Sequence, residues 1–570
     1  MFKIWAPEAE NVTLCLKNKE HEMSRAEGGY WVFDLEDKPE NLLYSFKIDQ
    51  KGPFPDPRSS FQPGGIHGPS QLWNKPYKWK DKSWTAPELK DAVIYELHVG
   101  TFSEKGTFAG VQDKLDYLKS LGITHIELLP IADFPGQRGW GYDGVDLFAP
   151  HQGYGTPDDL KKLVDACHQK GLGIVLDVVY NHLGPDGNYL GVYGKYFSDR
   201  YSTPWGEAVN FDCSYSDAVR KFVIDNALMW LNDFHFDGLR IDAVHQIYDF
   251  SAIHILEEMQ QNVARLEQQT KRKYFLIAES DLNDPRLIKS PARGGYGLAA
   301  HWLDDFHHAL HVLLTDEQHG YYQDFNGAED LHKSLTQNYI YDGIYSKSRK
   351  CRHGRDASDL SPEKFVVFSQ NHDQVGNRGF GERLSKLIDF ASCQFAAAVT
   401  LLSPFVPMLF QGEEWAAQTP FLYFTDHGDE KLARAVRKGR QRDYSFLHKK
   451  VPDPQDEKTF LASCLNWKEP DSKDGATMLD WYKTLIAIRQ KYLKQIRAGE
   501  RAFEAVNLQQ KLFLYRAGKL KLVFNGGRKV CHIKNEIKIS DKLLLQNKSV
   551  EKTEKGLQLP AGAVVVFWQK

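Results

Sequence analysis

Cysteine is scarce and unpatterned in this sequence. Its seven copies (Cys15, Cys167, Cys213, Cys351, Cys393, Cys464, Cys531) are odd in number and show no C-x-x-C spacing. That excludes a disulfide framework and a zinc site and points to a reducing compartment. A charge of one sign is also lacking: 72 Lys and Arg stand against 75 Asp and Glu, a balance of −3. No global field draws in polyphosphate or an anionic bilayer, so neither nucleic acid nor a membrane is expected as a partner. Long apolar runs are missing too. The longest, Phe395 to Phe410, is broken by Thr400, Ser403, Pro404 and Pro407, and the opening MFKIWAPEAE has no basic and apolar leader. The expected setting is cytoplasmic.

What is present is an ordinary globular composition, 42% hydrophobic and 26% charged, enough to build large cores. At about 150 residues per domain the length implies roughly three to four domain-sized units. Aromatics reach 13%, with 13 Trp and 26 Tyr, which serves core packing and also provides flat platforms for ligands such as sugars.

Up to about residue 80 apolar residues recur with period two, as in Phe2 and Ile4, then Val12, Leu14 and Leu16, then Tyr44, Phe46 and Ile48. This predicts a small β-sandwich of immunoglobulin-like kind. Pro76 to Pro87 reads as a linker. From Ala92 onward, buried-strand candidates lie around Ile94, Ile126, Val175, Leu239, Leu276, Trp302, Val367 and Met408. Helical patterns separate most of them. Pro157 to Gly171 follows Thr156 as N-cap, and Ser216 to His235 spaces Val219, Phe222, Val223, Ala227 and Trp230 as a helix does. Alternating strand and helix predicts an α/β fold, a closed (β/α)8 TIM barrel. A loop subdomain is expected at about residues 183–215, where Gly, Tyr, Asp and Pro dominate without periodicity. After the amphipathic stretch Met478 to Tyr492, period two returns in Leu512 to Tyr515, Leu520 to Phe524 and Ala563 to Trp568, predicting a C-terminal all-β domain. The expected units are 1–85, 86–495 and 496–570.

In such a barrel the carboxyl ends of the strands surround one site, so polar groups closing apolar runs are the candidates. Four ends carry them: Gly173-Ile-Val-Leu-Asp177-Val-Val-Tyr-Asn181-His182, Gly238-Leu-Arg240-Ile-Asp242-Ala-Val-His245, Phe275-Leu-Ile-Ala-Glu279 and Val366-Val-Phe-Ser-Gln-Asn371-His372-Asp373. Arg240 and Asp242, two apart on a strand, share a face, and the guanidinium keeps the carboxylate ionised and oriented, as a nucleophile requires. Glu279 ends a strongly apolar strand, where desolvation and a neighbouring carboxylate raise its pKa and hold it protonated as a general acid. Two carboxyl groups of split protonation are what glycosidic cleavage needs, and about 5–5.5 Å between them gives retention at the anomeric carbon. Asp373 is the third acid. His182 and His372 suit hydroxyls of the reacting ring, and Tyr142, in Trp140-Gly-Tyr142-Asp143, suits its apolar face. Plainer readings stand beside these: an Arg–Asp pair two apart also forms structural ion pairs, and a strand-terminal Glu is also simply solvated. Asp177 is read as orienting, and Asn181 as bonding its own loop rather than a metal.

These four segments, in this order, resemble the characteristic regions of the α-amylase family of glycoside hydrolases. The resemblance implies a retaining enzyme with Asp242 as nucleophile, Glu279 as acid/base and Asp373 as the carboxylate that binds hydroxyls of the distorted sugar. Tyr142, His182, Arg240, His245, His372, Trp140 and Asp304 are the implied substrate-binding set. Finer segments are Phe2-Lys-Ile-Trp-Ala-Pro, Glu279-Ser-Asp-Leu-Asn-Asp284, Trp302-Leu-Asp-Asp-Phe-His-His308, Gln370-Asn-His-Asp-Gln-Val-Gly-Asn377, Phe410-Gln-Gly-Glu-Glu-Trp415 and Phe424-Thr-Asp-His427. They narrow the resemblance, over essentially the whole chain, to the members that cleave the α-1,4 bond next to the terminal trehalose of malto-oligosyltrehalose, leaving a maltodextrin. It further implies functional pairing with a malto-oligosyltrehalose synthase. One departure is Val244, where many amylases have Lys, which alters the handling of the leaving sugar. No cofactor and no metal are expected: calcium, common among amylases, would need more ligands than Asn181.

Several features mimic other functions. Gly139-Trp-Gly141-Tyr-Asp-Gly144 satisfies G-x-G-x-x-G, but no helix pattern follows, so it reads as a loop over the sugar. His307 and His311 have helical spacing without the glutamate of a zinc protease motif. The basic run Lys431 to Arg442 reads as a solvated helix face. Two rivals stand beside the hydrolase: a transglycosylase such as a glycogen-branching enzyme, with a sugar replacing water, and a non-catalytic carbohydrate-binding protein on a barrel.

Overall fold

In the computed structural model, which describes all residues other than 18, 37, 38, 448, 535, 554 and 555, the alternating N-terminal segments pair into two antiparallel sheets. One holds Phe2–Trp5, Tyr30–Phe33 and Ser24–Arg25; the other holds Lys19–Glu22, Val12–Leu16, Leu43–Ile48 and Lys51–Phe54, with Ser70–Gln71 beside them. Their apolar faces meet, Phe2 of one lying 4.9 Å from Tyr44 of the other between ring centroids.

All eight strand candidates are staves of one closed parallel barrel. They are β1 (Ile94–Leu97), β2 (His125–Leu128), β3 (Gly173–Val178), β4 (Gly238–Ile241), β5 (Phe275–Ala278), β6 (Ala300–Trp302), β7 (Phe365–Val367) and β8 (Val406–Phe410). Met408 of β8 pairs with Ile94 of β1 to close the ring. Side chains alternate across a strand. Ile94, Val175, Ile277, Trp302 and Met408 fill the barrel interior, while neighbours such as Tyr95, Ile174, Leu276 and Leu409 join the larger core outside it. Two residues further along, the inward position turns polar: Glu96 after Ile94, Asp177 after Val175, Glu279 after Ile277 and Asp304 after Trp302. The same period places Arg240 and Asp242 above Gly238. The apolar layer therefore carries a charged layer at its carboxyl-terminal mouth.

Helix Pro157–Gln169 is capped as its sequence implies: the Thr156 hydroxyl accepts from the Asp159 N–H and the Asp159 carboxylate from the Thr156 N–H. The interrupted apolar run splits into the end of helix Phe390–Leu401 and strand β8, with Pro404 in the joint and Pro407 inside the strand. The excursion after β3 is more ordered than its composition implies, since it contains a short helix Leu190–Tyr193 and a hairpin, Phe197–Thr203 with Gly206–Val209.

The linker stretch is not a loose tether. Asp81 is buried and binds His168 at 2.9 Å, His235 at 2.7 Å and Arg272 at 2.9 Å. Trp84 stacks on His168 at 4.5 Å and donates its indole N–H to Asp237 at 2.8 Å. These partners precede β4 and β5 or end the first long helix, so the strap is locked to the floor of the barrel, opposite the charged mouth. The returning period-two segments build a five-stranded antiparallel sheet in the order Arg501–Asn507, Leu512–Ala517, Leu520–Asn525, Ala563–Trp568, Lys542–Gln546. Phe524 stacks on Phe395 at 4.4 Å, docking this sheet on the last barrel helices.

Candidate active site

Three strand ends deliver the acids. Arg240, fully buried on β4, donates through Nη1 to both oxygens of Asp177 at 2.9 and 2.8 Å and to Asp242 Oδ1 at 2.8 Å. Its Nη2 lies 3.6 Å from Glu279 Oε2. Its charged centre sits 4.2 Å from the Trp302 ring centroid, a cation–π contact that packs it against the barrel interior. The second oxygen of Asp242 accepts from the Asn181 amide at 2.8 Å, and the same amide donates to the Asp242 carbonyl at 2.9 Å. Asp242 therefore has both oxygens held and little rotational freedom.

The backbone after Asp242 turns sharply. Ala243 sits in the left-handed region at φ 38°, a conformation that costs an alanine about 1–3 kcal/mol and persists where the surroundings enforce it. The turn aims the Ala243 N–H at Glu279 Oε2, 2.6 Å away, and the Val244 N–H at the Glu279 carbonyl, 2.9 Å away. Burial raises the Glu279 pKa; Arg240 opposes the rise and Asp242 adds to it. The net displacement is upward, which favours the protonated acid.

Asp373 is the most open of the three acids, with its side chain 41% exposed; it accepts from Asn377 at 3.2 Å and lies 3.6 Å from His372 Nε2. His372 is locked from beneath. Its N–H and Nδ1 meet the Glu96 carboxylate at 2.9 and 2.6 Å, and Nε2 meets the Tyr142 hydroxyl at 2.7 Å. Burial pulls this imidazole down, but Asp373 and Glu96 raise it to about 9. Tyr142 stacks on His372 at 5.2 Å and also donates to Asp177 at 2.5 Å. His182 is tied to the Asn181 side-chain oxygen and stacks on Trp205 at 4.3 Å. His245 Nε2 lies 3.8 Å from Asp281. Asp304, half-buried, has its pKa raised well above the ordinary value, by burial first and then by Glu279, Asp281 and Asp373.

The structure thus brings Asp242, Glu279, Asp373, Arg240, His182, His372, Tyr142, His245 and Asp304 to one mouth. Trp140 lies elsewhere than expected. Only 6% exposed, it spends its N–H on the Leu422 carbonyl, stacks on Phe421 and meets His372 edge-on at 5.7 Å. It supports the site from beneath and offers no free face to a sugar. The G-x-G-x-x-G segment delivers Tyr142, with strand Asp146–Pro150 following it and no helix. His307 is enclosed between His311, at 5.5 Å, and Phe368, at 5.9 Å. Among the described residues no group of three or more His, Cys, Asp or Glu is arranged to hold a metal ion.

Three contributors escaped sequence reasoning. Glu96 was signalled by its inward place in Ile94-Tyr-Glu-Leu-His98, the first strand end. Ala243 has no sequence mark of its left-handed turn. Trp205 sits in the aperiodic excursion, where no pattern assigns a side chain to a face.

Comparison with known proteins follows the same outline. Residues 76–201 match the family described as alpha amylase, catalytic domain, and residues 1–69 match carbohydrate-binding module 48, the isoamylase N-terminal domain. The chain is 47% identical to a malto-oligosyltrehalose trehalohydrolase of Saccharolobus solfataricus, over 86% of this chain and 85% of the relative. It is 46% identical to one of Arthrobacter ramosus, over 86% and 87%. A solved structure from Salmonella typhimurium, assigned to the alpha amylases, superposes with a TM-score of 0.91 at 37% identity, covering 100% of this chain and 97% of that one.

Proposed function

Because this chain belongs to the malto-oligosyltrehalose trehalohydrolases of the α-amylase family, we propose that its barrel mouth cleaves the α-1,4 bond beside the terminal trehalose of malto-oligosyltrehalose with retention of configuration. The protein is a glycosidase. Asp242 attacks the anomeric carbon of the glucose next to the trehalose, while Glu279 gives its proton to the departing oxygen. The bond to trehalose breaks and a glycosyl ester on Asp242 forms. Glu279, now ionised, takes a proton from water, which opens the ester and frees a maltodextrin with its α-anomer. The observation that carries this reading is the single guanidinium of Arg240 shared by Asp242 and Glu279. Bracketing one flat cation suits the short spacing of a retaining pair, about 5–5.5 Å, better than the about 6.5–9.5 Å of an inverting one.

Asp373 and His372 take hydroxyls of the reacting ring, and the raised imidazole is a cationic donor at neutral pH. Tyr142 and His182 border the same ring, with Arg240, His245 and Asp304 completing the set. We assign the chain to residues 1–85, 86–495 and 496–570, to a cytoplasmic setting supported by seven free cysteines, and to work beside a malto-oligosyltrehalose synthase. No helix among the described residues is long and apolar enough to cross a membrane.

The test is incubation with malto-oligosyltrehalose beside plain maltodextrin, following both rates and the anomer first released. Trehalose release with an initial α-maltodextrin is expected. Branched glucan without trehalose assigns a transglycosylase instead, and a faster rate on plain maltodextrin assigns a general amylase.

A further inference from the structure

We propose that Arg440 is a positioning residue for Asp373: it grips the backbone on both sides of Asn377, the residue that holds this acid, and so fixes where the carboxylate meets the distorted ring. This rests on the glycosidase reading above, in which Asp373 takes hydroxyls of the reacting sugar.

Asp373 needs such support because of where it sits. Asp242 and Glu279 directly follow the last residues of β4 and β5, whereas Asp373 lies in the loop beyond β7, on the short helix His372–Gly376. A helix of this length has little stability of its own and takes its shape from tertiary contacts. Asn377 holds Asp373 twice: its side-chain amide donates to Asp373 Oδ1 at 3.2 Å, and its backbone N–H donates to the Asp373 carbonyl at 2.9 Å. Arg440 brackets Asn377 in turn. Its Nη2 donates to the Gly376 carbonyl at 2.8 Å and to the Arg378 carbonyl at 3.0 Å. The Gly376 carbonyl ends a helix and has no partner within it, so a cation there meets both an orphan acceptor and the negative end of the backbone dipoles.

Arg440 belongs to helix Glu430–Asp443, whose basic run reads from sequence as a solvated face. Lys431, Arg434, Lys438 and Arg442 are exposed, but Arg437 and Arg440, three apart, turn inward on the side of buried Ala433. Arg437 meets Asp453 at 2.5 Å. Among the described residues, the bonds of the Arg440 guanidinium go to the two carbonyls and to the Tyr444 hydroxyl, at 3.3 Å, and none to a carboxylate. Its charged centre lies 4.5 Å from the Tyr444 ring centroid and 5.5 Å from that of Tyr423, so two aromatic rings supply the attraction that a counter-ion gives elsewhere. The segment it grips rests on Trp140: a Cβ on Gly376 would fall 2.2 Å from the indole, and Tyr423 meets that indole edge-on at 5.2 Å. Arg440, Tyr423 and Trp140 thus form one seat for residues 376–378. An ion pair would hold only a side chain, but bonds to carbonyls hold the main chain itself, and the main chain sets where Asp373 stands.

The experiment is a double-mutant cycle on trehalose release from malto-oligosyltrehalose: wild type, Arg440→Met, Asp373→Asn and the pair, with Arg440→Ala and Arg434→Ala alongside. Methionine keeps an apolar stem beside Tyr423 and Tyr444 and loses the donors, so it carries the test where alanine unfolds. Asp373 grips the ring most tightly once it is distorted, so its displacement should lower kcat about ten- to hundredfold, with KM within about threefold of wild type. In the Asp373→Asn background, followed at high enzyme concentration, Arg440→Met should change the rate by less than about twofold, because the group it positions is already disabled. Arg434→Ala, on the exposed face of the same helix, should match wild type. A kcat within about twofold of wild type in Arg440→Met overturns the proposal. So does a loss of equal size in the Asp373→Asn background or in Arg434→Ala, which would mean a general loosening independent of that acid. A rise in KM with kcat unchanged also overturns it, since that would mean a direct contact with the sugar. If wild type releases no trehalose, the substrate reading fails separately. The cycle is then read on maltoheptaose hydrolysis, where coupling to Asp373 supports the positioning role and additivity overturns it.

Discussion

Glu279→Gln separates chemistry from architecture in one residue. Glutamine keeps the shape of the side chain and an oxygen for the Ala243 N–H, now accepted at 2.6 Å, but has no proton to give. General acid catalysis contributes about 10²–10⁴-fold, and at about 1.36 kcal/mol per decade that is roughly 3–5 kcal/mol of barrier. Trehalose release should fall by that factor. Stability should move the opposite way. An unfolded glutamate titrates near 4.3, and burial raises Glu279 in the folded protein despite Arg240. A raised folded pKa means that its contribution to stability is present below the unfolded value and lost as pH rises through the folded one. The amide removes the buried charge, so Glu279→Gln should melt above wild type at neutral and alkaline pH and match it near pH 4. Steady-state kcat/KM and calorimetric melting across pH 4–10 check both. The wild-type profile should carry two falls, one as Glu279 loses its proton and a second near about 9 as His372 does. Only the second fall should remain in the variant. A variant keeping more than about a tenth of turnover, or melting below wild type at every pH, would refute the assignment.

Asp242→Asn should lower turnover by several powers of ten and leave no covalent glycosyl-enzyme detectable by mass spectrometry in rapidly quenched reactions, because the ester has lost its oxygen nucleophile. Asn181→Ala removes two hydrogen bonds to Asp242 and leaves buried acceptors unpaired; a loss of about 1–3 kcal/mol in urea unfolding is expected, with a lower kcat, and an unchanged kcat would reject a positioning role. The floor clamp predicts a pH effect far from the mouth. Burial pulls His168 down, but Asp237 and Asp81 raise it overall. Its contribution is therefore full below the unfolded value, about 6.5, and lost as pH rises through the folded one. Asp81→Asn should lower Tm most at acidic pH and least at alkaline pH, as calorimetry over pH 5–9 would read; an equal loss at all pH values would mean that the histidine pairing adds nothing.

Much of this was legible because it obeys short periods. A strand facing a barrel interior alternates every second residue, so Ile277 and Glu279, or Gly238, Arg240 and Asp242, declare a common face without knowledge of their neighbours. Helix Pro157–Gln169 announces its start through Thr156, Pro157 and Asp159, all within one turn. What escaped was set by contacts remote in sequence. Trp140 stands beside Tyr142, yet Phe421 and the Leu422 carbonyl claim it for the core, and no local pattern reports a partner 282 residues away. Asp81 looked like part of a tether because its partners lie from 87 to 191 residues further on.

From its own order of residues the chain determines a closed barrel, the strand ends that bear charge and the carboxyl groups able to act there, because side-chain periodicity and apolar burial are local properties. Tertiary structure alone decides that one guanidinium brackets Asp242 and Glu279, that a left-handed alanine turns the backbone toward the acid, and that Trp205 closes over His182. Those facts depend on distances between separate strands and loops, and the angle and register at which such elements meet are properties of the packed whole.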